Sequence, residues 1–510
     1  MPSSLLLAIS SLVSRILGIL RDRILATQFG AGIGVGAYSL DVYYVAFRLP
    51  DLLYNLLIYG TISAALLPIF LEHLTKKNRA EAWKFASSLL NLFGLILIVA
   101  SVIIFILAPW IVPLLAPGMN PENLTVAISL TRIMLLSPIF FGLSSVLSAL
   151  ANAFKIFRYF AFAPIVYNLS LIISAYFGAE KFGVYALAFG VIVGAFLHFA
   201  IQIPVLWEIK FRWSPILGLQ RLDIKKAFRL IIPRLASLSL IQINLMIEMI
   251  IASLLGVGSI TILNLAYNLH SLPVGIIGIS IALPAFTTLS EFSALGDNIK
   301  FTSSLKKNIT SILRLVIPAS VGLFLLAPEI VNLILFSGKF SVADTNLTAN
   351  VLRLLLIGLF AYTLTPLLSR AFFARQNTYL PLLAAIIALI VNVIFALTLP
   401  KWLGLAGLGL ANSLAGITNL GLLIIWLARN VKQKYSAIFA FSEHAKIIFL
   451  SAIMGLGVWY FSNLTTFWWP QKNFINILYQ VSFSISIGLI IYFSGEKIFD
   501  LIYAKEKSKI

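Results

Sequence analysis

The chain has 510 residues, 60% of them apolar and 11% charged, with a mean hydropathy of +1.00. Soluble domains carry roughly a quarter charged residues, so a soluble globular fold is excluded. The absence of cysteine excludes disulfide frameworks, thiolate nucleophiles, CxxC zinc sites and thiolate-held iron–sulfur clusters. The net charge of +19 is read as membrane topology rather than nucleic-acid binding, because polytopic proteins concentrate Lys and Arg on the cytoplasmic side.

Apolar runs between charged or Pro/Gly-rich breaks predict helices near residues 8–29, 36–60, 84–107, 124–153, 160–178, 183–207, 228–255, 260–289, 309–336, 347–374, 379–399, 404–428, 446–463 and 475–499. A span takes about 20 apolar residues, so the fold class is an all-α polytopic membrane protein with about fourteen transmembrane helices. The first stretch contains Arg15, Arg21, Asp22 and Arg23 and lacks a small-residue cleavage site, so it reads as a retained helix and not a signal peptide.

Placement of charge within the spans carries most of the information, since an ionisable group there is costly unless it faces a polar cavity or a partner. On the first helix Ser14, Arg15, Gly18, Arg21 and Asp22 share an arc of about 120°. On the second, Asp41, Tyr44, Arg48, Asp51, Asn55 and Tyr59 share roughly 80°, allowing a kink at Pro50. The two stripes are expected to face each other across a wet cationic cavity. The plainer alternative is snorkelling of Arg21, Asp22 and Arg23 and a purely structural Arg15–Asp41 pair.

Further along, Glu248 is a deep carboxylate on a stripe with Ser237 and Asn244, and Asn392, Asn412 and Asn419 lie in spans 11 and 12. A carboxylate with amide oxygens suits a hard cation such as Na⁺, and a lone membrane Glu suits a proton carrier. Glu248, Asn392 and Asn412 are therefore the candidate coupling-ion site, with a neutral, helix-bonding Glu as the alternative. Arg132, Arg234, Arg314 and Arg353 lie nearer span ends, where topology or lipid-headgroup contact is the expected role, and His270 reads as an interior histidine.

Loops after even-numbered spans, with the C-terminal segment, hold twenty-five Lys and Arg residues against four (Lys181, Lys339, Lys401 and Lys472) in the opposite loops. Both termini are expected to be cytoplasmic. Self-similarity near an offset of 220 residues links Ile62-Ser-Ala-Ala-Leu-Leu-Pro-Ile-Phe70 to Ile279-Ser-Ile-Ala-Leu-Pro-Ala-Phe286, Gly30-Ala-Gly32 to Gly256-Val-Gly258, and Gly183-Val-Tyr-Ala-Leu-Ala-Phe-Gly190 to Gly404-Leu-Ala-Gly-Leu-Gly-Leu-Ala411. This predicts two pseudo-symmetric six-helix lobes, residues 1–208 and 209–430, with spans 13 and 14 in 431–510. A parallel repeat of this kind alternates access by rocking one lobe against the other. The four histidines are dispersed, and no Walker A loop, GxSxG elbow or acidic loop pair occurs, so a transporter is expected rather than an enzyme, with no cofactor beyond a coupling Na⁺ or H⁺.

Ser14-Arg15-Ile-Leu-Gly18-Ile-Leu-Arg21-Asp22, Phe29-Gly30-Ala31-Gly32 and Asp41-Val-Tyr-Tyr-Val-Ala-Phe-Arg48-Leu-Pro50-Asp51-Leu-Leu resemble the opening of the MurJ/MviN family of lipid II flippases, within the multidrug/oligosaccharidyl-lipid/polysaccharide exporter superfamily. Ala108-Pro-Trp110, Leu115-Ala-Pro-Gly118, Ala163-Pro164 with Asn168, Ser337-Gly-Lys339-Phe340 and Ala371-Phe-Phe-Ala-Arg375-Gln376 follow in the family's order. The resemblance implies lipid II translocation across the bacterial inner membrane, a cationic cavity for the pyrophosphate in which Arg15, Arg21 and Asp41 sit at positions the family uses, and a groove for the polyprenyl tail at the two last helices; Ser14, Arg48, Asp51, Asn55 and Asn268 complete the candidate substrate-binding set. It also implies membrane lipids and cell-wall synthesis enzymes as partners. Two arginines of the family pattern are replaced, by Tyr54 and by Asn268 after Tyr267, so another lipid-linked saccharide is the alternative substrate; a cation-coupled small-molecule antiporter is more distant.

Overall fold

A computed structural model describes residues 3–32, 39–57, 62–76, 78–431, 439–468 and 473–507, and every regular element among them is a helix. The chain forms two compact units. Tyr59 and the side chains of Arg234 and Ser237 lie outside the described residues.

The first unit comprises Met1–Thr261 and Ser337–Ser341. It contains α1 (Ser3–Phe29), α2 (Leu40–Leu57), α3 (Ile62–Thr75), α4 (Arg79–Leu115), α5 (Pro121–Met134), α6 (Ser137–Ala153), α7 (Arg158–Phe182), α8 (Tyr185–Ala200), α9 (Pro204–Glu208) and α10 (Leu222–Leu254). Helix α1 packs along α7, α7 along α8, and α2 against α5. At one end of the unit the core is aromatic: Phe70 and Trp83 pack at 5.6 Å between ring centroids, with Phe85, Leu89 and Phe93 buried around them. The sequence places a lobe boundary at 208, whereas this unit runs to Thr261 because α10 packs on α2, α3 and α4.

The second unit comprises Ile262–Phe336 and Val342–Ile510. Helix α11 (Ser259–Pro273) runs into it, followed by a π-helical turn at Val274–Ile279, α12 (Ser280–Ala294), α13 (Asn298–Leu325), α14 (Ala327–Leu335), α15 (Val342–Leu356), α16 (Leu359–Ala374), α17 (Tyr379–Thr398), α18 (Pro400–Leu403), α19 (Ala406–Val431), α20 (Phe441–Trp468) and α21 (Phe474–Lys507). The span expected at 347–374 is bent by 45° between α15 and α16. The break has a chemical cause. Ser413 Oγ accepts from the Gly358 amide at 2.9 Å and donates to Leu354 O at 2.6 Å, replacing the helix's own ladder at that point.

Ten helices among the described residues are long and apolar enough to cross a membrane, or eleven if the bent pair is one span. The sequence expectation of about fourteen is larger. The difference falls partly on α2, whose eighteen residues include Asp41, Arg48 and Asp51, and on α10, of which Leu238–Leu254 is apolar. On α4 the large apolar residues Leu95, Ile98, Val102, Phe105, Ile106 and Trp110 are exposed, as bilayer-facing side chains are.

The repeat is visible in the backbone as well as in the letters. Gly183 and Gly404, 221 residues apart, share φ near +55° and each donates its amide to the carbonyl four residues earlier. Lys155 and Gln376, also 221 apart, share φ near +57° at the same helix-terminating turn. Gly30, Gly32, Gly256 and Gly258 all have positive φ as well. A left-handed residue closes a helix by satisfying its last carbonyls, so the stop signals recur where side chains have diverged.

An ionic network fastens α3 to α10. Glu72 accepts from Lys76 at 2.8 Å and from Lys226 at 2.9 Å, while Asp223 accepts from Arg221 at 2.7 Å and pairs with His73 at 3.1 Å. The two lysine hydrogen bonds pull the Glu72 carboxyl down to about 2. Burial pushes Asp223 up, but the hydrogen bond and charge of Arg221, the Ile224 amide and His73 more than offset this and hold it below the usual carboxylate range. Depressed folded-state values contribute stability that is complete above the unfolded value, about 4, and is lost as pH falls through the folded ones. Hydrogen exchange of α3 and the first turn of α10, corrected for intrinsic rates, should therefore be flat from pH 7 to about 5 and rise below pH 4, with Asp223→Asn producing the rise already at pH 7.

Candidate functional site

Within the first unit the cationic face of α1 is built against α7. Arg21 pairs with Asp22 at 2.8 Å, and its Nη1 donates to Asn168 Oδ1 at 3.1 Å. The Asn168 amide in turn donates to the Ser14 carbonyl and hydroxyl at 3.3 Å and to Pro164 O at 3.1 Å, so one α7 side chain bridges Ser14 and Arg21. Arg15 is half-buried on the same helix and makes no hydrogen bond or ion pair among the described residues. At Gly18 a side chain would meet nothing within 4 Å, so open space lies beside the two arginines. One guanidinium is held in place and the other has its donors unused among the described residues, and guanidinium donors of this kind match the oxygens of an anion.

The second stripe is built differently from the expectation. Arg48 donates to Gln242 Oε1 at 3.1 Å and to its carbonyl at 3.3 Å, and faces Asp51 at 3.5 Å. Asn55 donates to Asp51 O at 3.0 Å, a bond within its own helix. Arg48 is thus committed to α10, and Gln242, which the sequence reading did not single out, is its acceptor. A glutamine in a polar-poor span is the only signal that marked it.

Asp41 is 5% exposed and accepts from the Gly258 amide at 2.6 Å, the Thr261 amide at 2.7 Å and the Thr261 hydroxyl at 2.6 Å. Gly258 stands just before α11 and Thr261 is its third residue, so Asp41 supplies a capping carboxylate to that helix end from a distant part of the chain. The alternative of a structural Arg15–Asp41 pair is not found among the described residues, where Arg15 makes no ion pair and the carboxylate is turned onto the helix end. Glu248, 1% exposed, accepts from Asn244 at 3.0 Å one turn earlier.

In the second unit Asn392 and Asn412 are buried in α17 and α19, and Tyr362 donates to Asn412 O at 3.1 Å. Asn268 is half-buried and its carbonyl accepts from Ser271 at 2.8 Å. Back in the first unit, Tyr54 packs against Phe141 with ring centroids 4.8 Å apart and the ring planes tilted, beside Leu97 and Ala195. The second unit also holds an apolar groove of about 250 Å³ between α13, α14, α20 and α21, lined by Pro318, Gly322, Leu326, Met454, Gly488 and Tyr492. At its edge Arg314 pairs with Glu496.

The family model described as lipid II flippase MurJ matches residues 25–480. The chain belongs to the MurJ family. The probable lipid II flippase MurJ of Borreliella burgdorferi is 30% identical over 81% of this chain and 80% of its own length. The lipid II flippase MurJ of Burkholderia cenocepacia is 30% identical over 82% of each. A solved lipid II flippase MurJ in an inward closed conformation aligns with a TM-score of 0.81 at 28% identity, covering 98% of this chain and all of that one. An inward-facing multidrug resistance MATE transporter of the MOP superfamily, at a TM-score of 0.65 and 17% identity, shares the fold alone. The chain is therefore a multi-pass helical membrane protein of the MurJ family.

The Asp41 cap is open to measurement. Asp41→Ala leaves two buried amides and a hydroxyl without their acceptor, at a cost of about 1–3 kcal/mol. Thermal unfolding in detergent should show a clear drop in midpoint, and Asp41→Asn, which retains one acceptor oxygen, should recover part of it.

Proposed function

We propose that this chain is a lipid II flippase of the bacterial inner membrane, moving the undecaprenyl-pyrophosphate-linked peptidoglycan precursor to the outer leaflet by alternating access, with both termini cytoplasmic. The observation that carries this reading, beside family membership, is the α1 face: Arg15 without a hydrogen bond or ion pair among the described residues, Arg21 fixed by Asn168 and Asp22, and open space at Gly18. A pyrophosphate meets the unused donors of such a pair, and the planar guanidinium forks hold phosphate oxygens two at a time. The groove of the second unit suits the polyprenyl tail, since its lining is almost wholly apolar. Enzymes that make and consume lipid II are the expected partners. Tyr54 and Asn268, neutral where the family pattern has arginine, favour one further reading, that the saccharide carried is a variant of lipid II.

Each charge-assisted phosphate contact contributes about 1.5–3 kcal/mol, so Arg15→Ala and Arg21→Ala should each weaken headgroup affinity about tenfold or more. Complementation of a conditional lipid II flippase mutant, with protein levels matched, checks this: Arg15→Ala should fail and Arg15→Lys should rescue in part. Full rescue by both alanine variants would remove the pyrophosphate role.

For coupling, we propose that Glu248 takes up Na⁺ or H⁺ during the cycle; the candidate ligands Asn392 and Asn412 belong to the second unit. A deep carboxylate is costly when ionised, and an ion that neutralises it favours whichever state binds it better. Glu248→Gln should abolish a Na⁺-dependent shift in cysteine accessibility, measured conveniently on this cysteine-free background, or else flatten the pH dependence of transport if the ion is H⁺. An unchanged ion response with full activity would leave Glu248 as an interhelical hydrogen-bond partner only.

A further inference from the structure

The same unusual arrangement of proline, phenylalanine and arginine occurs in each unit. In the first, Phe105 stands four residues before Pro109 on α4. In the second, Phe324 at the end of α13 stands four residues before Pro328. A helical carbonyl accepts from the amide four residues on, and proline has no N–H, so both phenylalanine carbonyls lose that donor. In each unit an arginine replaces it. Arg132 Nε donates to Phe105 O at 3.2 Å with its guanidinium 4.9 Å from the Phe105 ring, and Arg353 Nε donates to Phe324 O at 3.1 Å, 5.8 Å from the Phe324 ring. The arginines are 221 residues apart, and each lies eleven residues after the first residue of its helix, α5 or α15.

Carbonyl and ring account for one N–H and one face of each guanidinium. The Nη groups of Arg132 and Arg353 make no hydrogen bond or ion pair among the described residues. Both arginines are partly exposed, and so are the rings beneath them, Phe105 by 47% and Phe324 by 38%. On α4 that ring belongs to the run of exposed apolar residues that includes Val102, Ile106 and Trp110. A cation among lipid-facing apolar side chains is costly unless it meets an anion or reaches the interface, and guanidinium donors match phosphate oxygens.

We infer that Arg132 and Arg353 are two equivalent sites for the phosphate of an anionic phospholipid, each held open by a proline-freed carbonyl that fixes Nε and turns the Nη groups outward. The sites are separate from the α1 face, and their occupancy is measured without any transport assay, so the failure of either reading is distinguishable from that of the other.

The test is native mass spectrometry of the delipidated full-length protein titrated with phosphatidylglycerol, phosphatidylcholine or inorganic phosphate. Removing an arginine also removes the carbonyl's donor, so the variants are Pro109→Ala with Arg132→Gln and Pro328→Ala with Arg353→Gln, in which alanine restores an N–H at the proline position. Each pair should lose one retained phosphatidylglycerol, and the four-fold variant two, with affinity at the lost sites down at least tenfold. The proline substitutions alone should keep both lipids at reduced affinity, because each guanidinium stays while the carbonyl that anchors its Nε regains a backbone donor. Retention of wild-type phosphatidylglycerol stoichiometry by the four-fold variant would overturn the proposal and leave the arginines as carbonyl caps. Equal retention of phosphatidylcholine, or displacement of the lipid by millimolar inorganic phosphate, would overturn the assignment to an anionic lipid.

Discussion

A charge placed in a low-dielectric slab must be neutralised, capped or turned toward polar space, and this one requirement organises the polar side chains of the spans. Asp41 meets it by accepting from the amides at the start of α11. Arg48 meets it through Gln242 and Asp51, and Arg21 through Asp22 and Asn168. With these charges paired within the protein, Arg15 stands out because its donors are unspent among the described residues. The anion site proposed on α1 is, in this sense, what internal pairing leaves over.

The same accounting explains the irregular helices. Where proline, serine or glycine interrupts the ladder, a specific group takes up the freed backbone atom, as Ser413 does at Gly358 and as Arg132 does at Phe105. In the membrane no water is at hand to do so, and irregular backbone persists only where such a substitute exists. The bend between α15 and α16 is accordingly a position set by a side chain from α19 and not a point of slack.

Much of the fold was legible because hydropathy and charge act along the chain. The helix positions, the cationic stripe of α1 and the 221-residue repeat follow from runs, spacings and glycines that need no knowledge of what packs where. The fate of individual polar residues was less legible. Asp41 and Arg48 share one helical stripe, yet one caps a segment about 220 residues away and the other reaches Gln242, and a stripe cannot tell a carboxylate facing a cavity from one buried on a helix end. Tyr54 reads from the sequence as a missing charge and is seen in the structure as part of an aromatic cluster. The bend at Gly358 was likewise invisible, because its cause lies on a helix more than fifty residues further along.

The pairing of a proline-freed carbonyl with an arginine has a historical side. While the proline stands, losing Arg132 strands a carbonyl in the bilayer, so that substitution is costly; once an ordinary residue replaces Pro109, the helix closes its own bond and the arginine is no longer needed for it. The two positions are therefore epistatic in a fixed order, with the path through the proline open and the path through the arginine obstructed. A lineage that holds both is in a one-way ratchet, and the duplicated pair at Pro328 and Arg353 sits in a second one of the same kind.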